Sequence, residues 1–100
     1  MQVRERYVRF RPDNLDVVIC SHVRDNVRPI LLVTRYDDGD WAFSCGHEDH
    51  RDDETEYVLV GVGHLTNRDS TLDAVSDLAK GYSAERESVG GPWTRYPDPA

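Results

Sequence analysis

The sequence predicts an α+β fold, with a mostly antiparallel sheet of four to five strands and one main helix, at about residues 70–80, packed on one face. Short apolar segments rich in β-branched residues predict the strands, and an Asp-Gly pair between two of them predicts a tight hairpin turn. Apolar residues recur with helical spacing most clearly between residues 67 and 80. The length of 100 residues predicts a single domain, residues 1–100, with one modest core.

The first two segments of the chain, residues 1–11 and residues 16–23, differ in their apolar pattern. In residues 1–11, apolar residues alternate loosely with four arginines, a pattern that fits either an edge strand or a flexible N-terminus. Residues 16–23 (DVVICSHV) are apolar and β-branched, and they predict a buried strand. In an extended strand Cys20 and His22 point to the same side.

Residues 29–45 (PILLVTRYDDGDWAFSC) predict two strands joined by a turn. Asp38 and Gly39 fit a two-residue type I′ turn, which needs positive φ at both positions. That turn fixes a register and places three pairs on one face: Tyr36 opposite Trp41, Thr34 opposite Phe43, and Leu32 opposite Cys45. Because this face carries the aromatic residues of the hairpin, we expect it to face the core.

The remaining segments alternate between polar and apolar. Residues 46–55 contain no apolar residue and predict an exposed loop, whereas residues 56–62 (EYVLVGV) predict a strand. Near the C-terminus, Trp93 is expected to anchor the chain to the body of the protein, and residues 94–100 predict a flexible C-terminal tail.

The main helix has recognisable start and stop signals. Ser70 predicts its N-cap, and Gly81 predicts the left-handed residue that ends it. Between these two residues, one apolar stripe with helical spacing is expected to pack on the sheet, and it consists of Leu72, Val75, Leu78 and Ala79.

Charge is unevenly distributed along the chain. The formal net charge is −7, and residues 37–56 hold nine carboxylates against one arginine. An acidic surface disfavours nucleic acid, whose phosphates need cations, and it suits a basic protein partner. The predicted contact surface for such a partner consists of Glu48, Asp49, Asp52, Asp53, Glu54 and Glu56. The same charges also fit a solvated loop that keeps the protein soluble.

The sequence also bears on the compartment. It contains no apolar run long enough to span a membrane and no secretory signal, so we expect a cytoplasmic protein without a membrane partner. Two cysteines do not make a disulfide scaffold, and in a reducing compartment they stay thiols unless they bind metal.

The candidate chemistry lies in two short segments, Cys20-Ser21-His22 and Cys45-Gly46-His47. Each places a cysteine two residues before a histidine, at the end of a predicted strand. If the two strand ends meet, they offer a tetrahedral Zn²⁺ site made of Cys20, His22, Cys45 and His47. The alternative is that both thiols are packed in the core, because free cysteine is among the most buried residue types.

Several motifs together carry a family resemblance. They are the strand VVICSHV, the Asp-Gly-Asp-Trp-x-Phe turn and strand, and the segment Gly-Tyr-x-Ala-Glu-Arg with the later Gly-Pro-Trp. On these motifs, residues 16–96 resemble a small bacterial family with a domain of unknown function, similar to the immunity proteins of polymorphic toxin systems. The most specific elements are Asp40-Trp41-x-Phe43 and Ala84-x-Arg86. The resemblance implies inhibition by binding, with no catalytic residue.

Two functions stay open at this point. The first is a non-enzymatic, immunity-like binding module of the bacterial cytoplasm, monomeric or homodimeric and without a cofactor, whose acidic surface binds a basic protein such as a toxin. The second is a small zinc-binding or thiol-dependent protein that uses the Cys/His cluster.

Overall fold

The computed structural model describes residues 15–46 and 57–97. The strands in this part of the chain are β1 (Asp16–Cys20), β2 (Leu32–Arg35), β3 (Trp41–Ser44), β4 (Tyr57–Gly61), β5 (Tyr82–Glu85) and β6 (Thr94–Pro97). The helices are α1 (Ser21–Arg24), α2 (Val62–Arg68) and a 3₁₀ helix (Ser70–Val75).

The strands form one mixed sheet in the order β4-β1-β3-β2-β5-β6. Strands β1 and β3 are parallel, and the other neighbouring pairs are antiparallel. The α+β class is confirmed, but the sheet has six strands instead of four to five and includes a parallel pair that the prediction lacked. The parallel pair arises because β3, the hairpin partner of β2, inserts between β2 and β1. The sixth strand, β6, forms where a flexible tail was predicted.

The predicted hairpin exists, but its register is wrong by one residue. The observed pairs are Leu32 with Ser44, Thr34 with Ala42, Val33 with Phe43, and Arg35 with Trp41. The turn has three residues instead of two, because the backbone N–H of Tyr36 donates to the carbonyl of Asp40 at 2.8 Å. Gly39 takes the left-handed conformation, with φ of +95°, whereas Asp38 does not have the positive φ that a type I′ turn demands.

The one-residue shift in register changes which face of β2 points to the core, and it leaves the core face of β3 as predicted. Trp41 and Phe43 face the core, with 4% and 0% of their surface exposed. On β2, Val33 is fully buried opposite Phe43, whereas Tyr36 was predicted on this face and is 46% exposed. The face of β3 is therefore confirmed, and the face of β2 is reversed.

The main helix differs from its prediction in type and position. The α-helix α2 begins at Val62, and it is separated from the 3₁₀ helix by Asp69, whose φ of −150° is extended. The side chain of Asp69, not that of Ser70, caps the 3₁₀ helix by accepting the N–H of Thr71 at 3.0 Å. Leu72, Val75 and Leu78 are buried as predicted, and their three-residue spacing suits the three residues per turn of a 3₁₀ helix. Ala79, the fourth member of the predicted stripe, is exposed.

The core is one cluster between a face of the sheet and the helical segments. Its largest fully buried members are Ile19 and Phe43 on the sheet, Leu65 on α2, and Leu72 on the 3₁₀ helix, with Leu78 after it. Close packing of this kind makes the apolar residues of the sheet and of the helical segments interdependent.

A buried arginine fastens the 3₁₀ helix to the sheet. The guanidinium of Arg86 donates to the carbonyl of Ile30 at 2.9 Å, to Thr71 Oγ1 at 2.7 Å and to the carboxylate of Asp69 at 2.7 Å. It also lies 4.3 Å from the ring centroid of Trp93, which packs against the core as the predicted anchor. The family-like Ala84-x-Arg86 motif therefore has a structural role here.

Candidate metal centre

A single helical turn places the first cysteine and histidine side by side. The predicted strand over residues 16–23 ends at Cys20, and α1 follows directly. Asn26 ends this turn with a left-handed φ of +60°. Its N–H donates to the carbonyl of Val23 at 3.0 Å, and the N–H of Val27 donates to the carbonyl of His22 at 3.0 Å. These two bonds are those of a Schellman motif, which lets asparagine end a helix of one turn.

The parallel pairing of β1 and β3 brings in the second cysteine. Ile19 pairs with Phe43 in the parallel pair, so the C-terminal ends of the two strands lie side by side. Strand β1 ends at Cys20, and β3 ends just before Cys45. Neither cysteine forms a disulfide bond, and both are buried, with 0% and 1% of their residue surface exposed.

The donor atoms lie close together, and one of their separations matches a tetrahedral metal site. One ligand atom each from Cys20, His22 and Cys45 lies within 4.8 Å of the others. The Cys45 sulfur is 3.6 Å from His22 Nδ1. With Zn–S bonds of about 2.3 Å and Zn–N bonds of about 2.0–2.1 Å, tetrahedral geometry separates sulfur from nitrogen by about 3.6 Å. Three of the four predicted ligands therefore lie together, and the separation of Cys45 from His22 is one that a zinc ion can bridge.

The side chain of Arg28 also contacts the cluster, and sequence analysis did not select it. Its Nη1 lies 3.3 Å from His22 Nδ1 and 3.8 Å from the Cys45 sulfur. A guanidinium only donates, so the contact with His22 makes Nδ1 an acceptor and places the ring proton on Nε2. That hydrogen bond uses the lone pair of Nδ1, so Arg28 would have to move aside for a metal to bind there. The spacing from residue 22 to residue 28 follows no strand or helix period, so only the turn after α1 reveals this contact.

The environment of Cys20 favours the protonated thiol. Burial raises the pKa of Cys20, and the N–H groups of Val23 and Cys45 lower it only in part. The nearby Cys45 thiol raises the pKa of Cys20 further, because two negative charges at this distance would repel each other. A metal ion would reverse this preference, since it binds the thiolate and displaces the proton.

The other predicted site residues lie outside the described residues. They include the fourth ligand His47 and the whole acidic contact surface, which consists of Glu48, Asp49, Asp52, Asp53, Glu54 and Glu56. The zinc role of His47 and the partner role of the acidic surface stay predictions. His64 is exposed on α2 and is not a member of the cluster.

Comparisons with known proteins identify no relative of this chain. Neither a scan of family models nor searches of curated proteins and solved structures finds a match. The resemblance to immunity proteins of toxin systems therefore stays a prediction. Within residues 15–46 and 57–97, no helix has the length and apolar character that crossing a membrane requires.

Proposed function

We propose that this protein binds one Zn²⁺ ion through Cys20, His22 and Cys45, with His47 as the fourth ligand. The observation that carries the proposal is the convergence of the three donor atoms within 4.8 Å, with sulfur and nitrogen 3.6 Å apart. Thiolate and imidazole are the donors that Zn²⁺ prefers.

The role of the ion is structural. Both cysteines are almost completely buried, so a substrate has little access to the sulfur side of the ion. Structural zinc sites are closed by four protein ligands, whereas catalytic sites keep a position open. The ion would hold the α1 turn against the end of β3 and so stabilise the parallel pair at the centre of the sheet.

The competing explanation of the cluster is that the two thiols are packed in the core without a metal. Burial of Cys20 and Cys45 fits both this explanation and a zinc site. Packing alone does not require His22 Nδ1 to point at a thiol with its acceptor side. The Arg28 guanidinium and the Cys45 sulfur both lie next to Nδ1, so the lone pair of Nδ1 faces the cluster, where a metal ion would have to replace the hydrogen bond from Arg28.

A metal titration tests the proposal. The fully reduced full-length protein is stripped with a chelator and titrated with Co²⁺ and then Zn²⁺, and bound metal is counted by elemental analysis. We expect one ion per chain, a tetrahedral Co²⁺ spectrum with thiolate charge-transfer bands, and displacement of Co²⁺ by Zn²⁺. Less than one ion per chain at saturation would end the proposal.

Substitutions assign the ligands. Cys20→Ser, Cys45→Ser and His22→Ala should each weaken Zn²⁺ binding by at least about tenfold, and the two serine variants should also lose part of the charge-transfer absorption. His64→Ala is the matched control, because His64 is exposed on α2 and lies outside the cluster. Unchanged affinity in the three ligand variants would show that the metal binds elsewhere.

The acidic surface supports a second function, binding of a basic protein partner. Its support is the net charge of −7 and the nine carboxylates of residues 37–56. Reversing the six charges of the predicted contact surface should slow association with a co-purified basic partner and reduce its salt dependence, with stability unchanged. An association rate that stays the same would exclude this surface.

A further inference from the structure

The two buried cysteines lie close enough to react with each other. Their sulfurs belong to the group of ligand atoms that lie within 4.8 Å of one another. The backbone N–H and the side chain of Cys45 both interact with the Cys20 sulfur. An S–S bond of about 2.05 Å requires a closer approach, which rotation about the χ1 torsions of the two cysteines can provide.

The backbone at this position also suits a disulfide bond. Cys20 ends β1, Cys45 follows β3, and the two strands are parallel neighbours in the sheet. Neighbouring strands lie about 4.8 Å apart, and disulfides join Cα atoms that are about 4.4–6.8 Å apart. The sheet therefore accepts a bond between these strand ends without a large distortion.

Burial selects the kind of oxidant that can reach the pair. Cys20 and Cys45 are 0% and 1% exposed, so a bulky disulfide such as oxidised glutathione has little access to either sulfur. Hydrogen peroxide is only slightly larger than water, and local opening of the fold is enough to admit it. The oxidant that fits this pair is a small peroxide.

We propose that Cys20 and Cys45 form a reversible intramolecular disulfide when a peroxide oxidises the folded, metal-free protein. One thiolate attacks an oxygen of hydrogen peroxide, the O–O bond breaks, and a sulfenic acid and hydroxide form. The second thiolate attacks the sulfenic sulfur, the S–S bond forms, the S–O bond breaks, and a second hydroxide leaves. The two thiol protons convert both hydroxides to water, so two thiols lose two electrons and one peroxide is reduced to two waters.

The disulfide and the metal exclude each other at this position. Zinc binds thiolates, and a disulfide offers none. This part of the inference rests on the proposed function. Oxidation would then release zinc from the centre, and reduction would restore the two ligands.

The test is oxidation of the full-length protein with hydrogen peroxide, after a chelator has removed metal and has itself been removed. Intact mass spectrometry and a peptide map without reductant identify the products. We expect a loss of two hydrogens per chain, a peptide pair joined through Cys20 and Cys45, and complete reversal by dithiothreitol. The rate should not depend on protein concentration, because both cysteines belong to one chain.

The melting temperature reports whether the bond fits the fold. The oxidised protein should have a higher Tm than the reduced protein, because the cross-link restricts the unfolded chain. A bond that forms only after the fold has opened would instead strain the native structure and lower the Tm.

Variants assign the partners. Cys20→Ala and Cys45→Ala each leave one thiol, which should gain oxygen atoms in place of the cross-link. Alanine is used because both positions are buried and a serine hydroxyl there would need a new hydrogen-bond partner. His64→Ala is the matched control and should oxidise as the wild type does, since His64 is exposed on α2 and lies outside the cluster.

Two results would overturn the inference. One is oxygen addition to the wild-type protein without a cross-linked peptide, and the other is a cross-linked protein with a lower Tm than the reduced form. Both are read without metal, so a failure to bind zinc would end the zinc proposal and leave this inference intact. Saturating Zn²⁺ should slow cross-linking by at least about tenfold, and an equal rate would exclude Cys20 and Cys45 as zinc ligands.

Discussion

Among single residues, Arg86 is a charged residue in a buried position. Its side chain is completely buried, and its charge is balanced by the carboxylate of Asp69 at 2.7 Å. Removing one member of a buried ion pair leaves the other charge without compensation. We expect Arg86→Ala to lower the free energy of unfolding by about 3–5 kcal/mol, measured by urea denaturation. Arg86→Lys should recover part of the loss, because lysine keeps the charge but not the planar fork.

Arg95 provides the matched control for this arginine. It also forms an ion pair, at 2.9 Å from Asp77, but both side chains are exposed. Arg95→Ala should therefore cost less than about 1 kcal/mol. If Arg86→Ala is no more destabilising than Arg95→Ala, the buried network does not fasten the 3₁₀ helix.

Asp69 should make the stability of the fold depend on pH. Burial would raise its pKa, but the hydrogen bonds from Thr71 and Arg86, together with the charge of Arg86, outweigh burial and hold the pKa below its ordinary value. A carboxylate with a lowered pKa stabilises the fold above its unfolded pKa of about 4, and this stability is lost as the pH falls through the folded value. The stability difference between wild type and Asp69→Asn should thus be constant near neutral pH and shrink below about pH 4. A difference that grows on acidification would contradict this sign.

At the scale of elements, the α1 turn depends on one unusual backbone conformation. Asn26 is the one non-glycine residue with positive φ among residues 15–46 and 57–97. Asparagine tolerates this region better than alanine, and glycine tolerates it best. We expect Asn26→Ala to lose about 1 kcal/mol in urea denaturation and Asn26→Gly to stay within about 0.5 kcal/mol of wild type. Equal losses in the two variants would show that the side chain matters and the backbone conformation does not.

Local sequence signals account for most elements but not for how they pair. The hairpin is predicted because Asp-Gly favours turns, yet the same pair fits a two-residue turn or a three-residue turn that ends in left-handed Gly39. The choice sets the register, and only packing of Val33 against Phe43 decides it. Likewise, the stripe Leu72, Val75 and Leu78 predicts burial correctly, although a spacing of three does not distinguish an α-helix from a 3₁₀ helix.

At the scale of the whole molecule, zinc binding should depend on pH and should stabilise the fold. Burial raises the pKa of Cys20, so its thiol is protonated at neutral pH and Zn²⁺ must displace that proton. We expect Zn²⁺ affinity to rise from about pH 6 to about pH 8, by about tenfold per pH unit for each proton released. The measurement is a competition titration against a chelator of known affinity at each pH. The His64→Ala protein should follow the same curve, and a flat curve would exclude thiolate ligands.

Bound zinc should also raise the unfolding temperature. An ion that binds only the folded state adds about 2.7 kcal/mol at one hundred times its dissociation constant. For a domain of this size, that gain corresponds to a rise of roughly ten degrees or more in Tm, which a chelator should reverse. The Cys45→Ser protein serves as the control, because its weaker zinc binding should make the rise in Tm smaller at the same zinc concentration.

The candidate site was only partly visible in the sequence, for reasons that concern the whole fold. The two Cys-x-His pairs indicate the ligands Cys20, His22 and Cys45, but their convergence depends on the parallel pairing of β1 and β3. That pairing is long-range, and no local pattern in either strand predicts it. The contact of Arg28 depends in turn on the reversal at Asn26.

The central position of β3 has a consequence for the order of folding. Because Cys20 ends β1 and Cys45 follows β3, Cys45 reaches Cys20 only after these two strands have paired. Metal capture by the complete ligand set is then a late event, which follows long-range strand pairing and cannot guide it. During refolding with Co²⁺, the charge-transfer bands should not develop before the amide protons of β3 become protected from exchange.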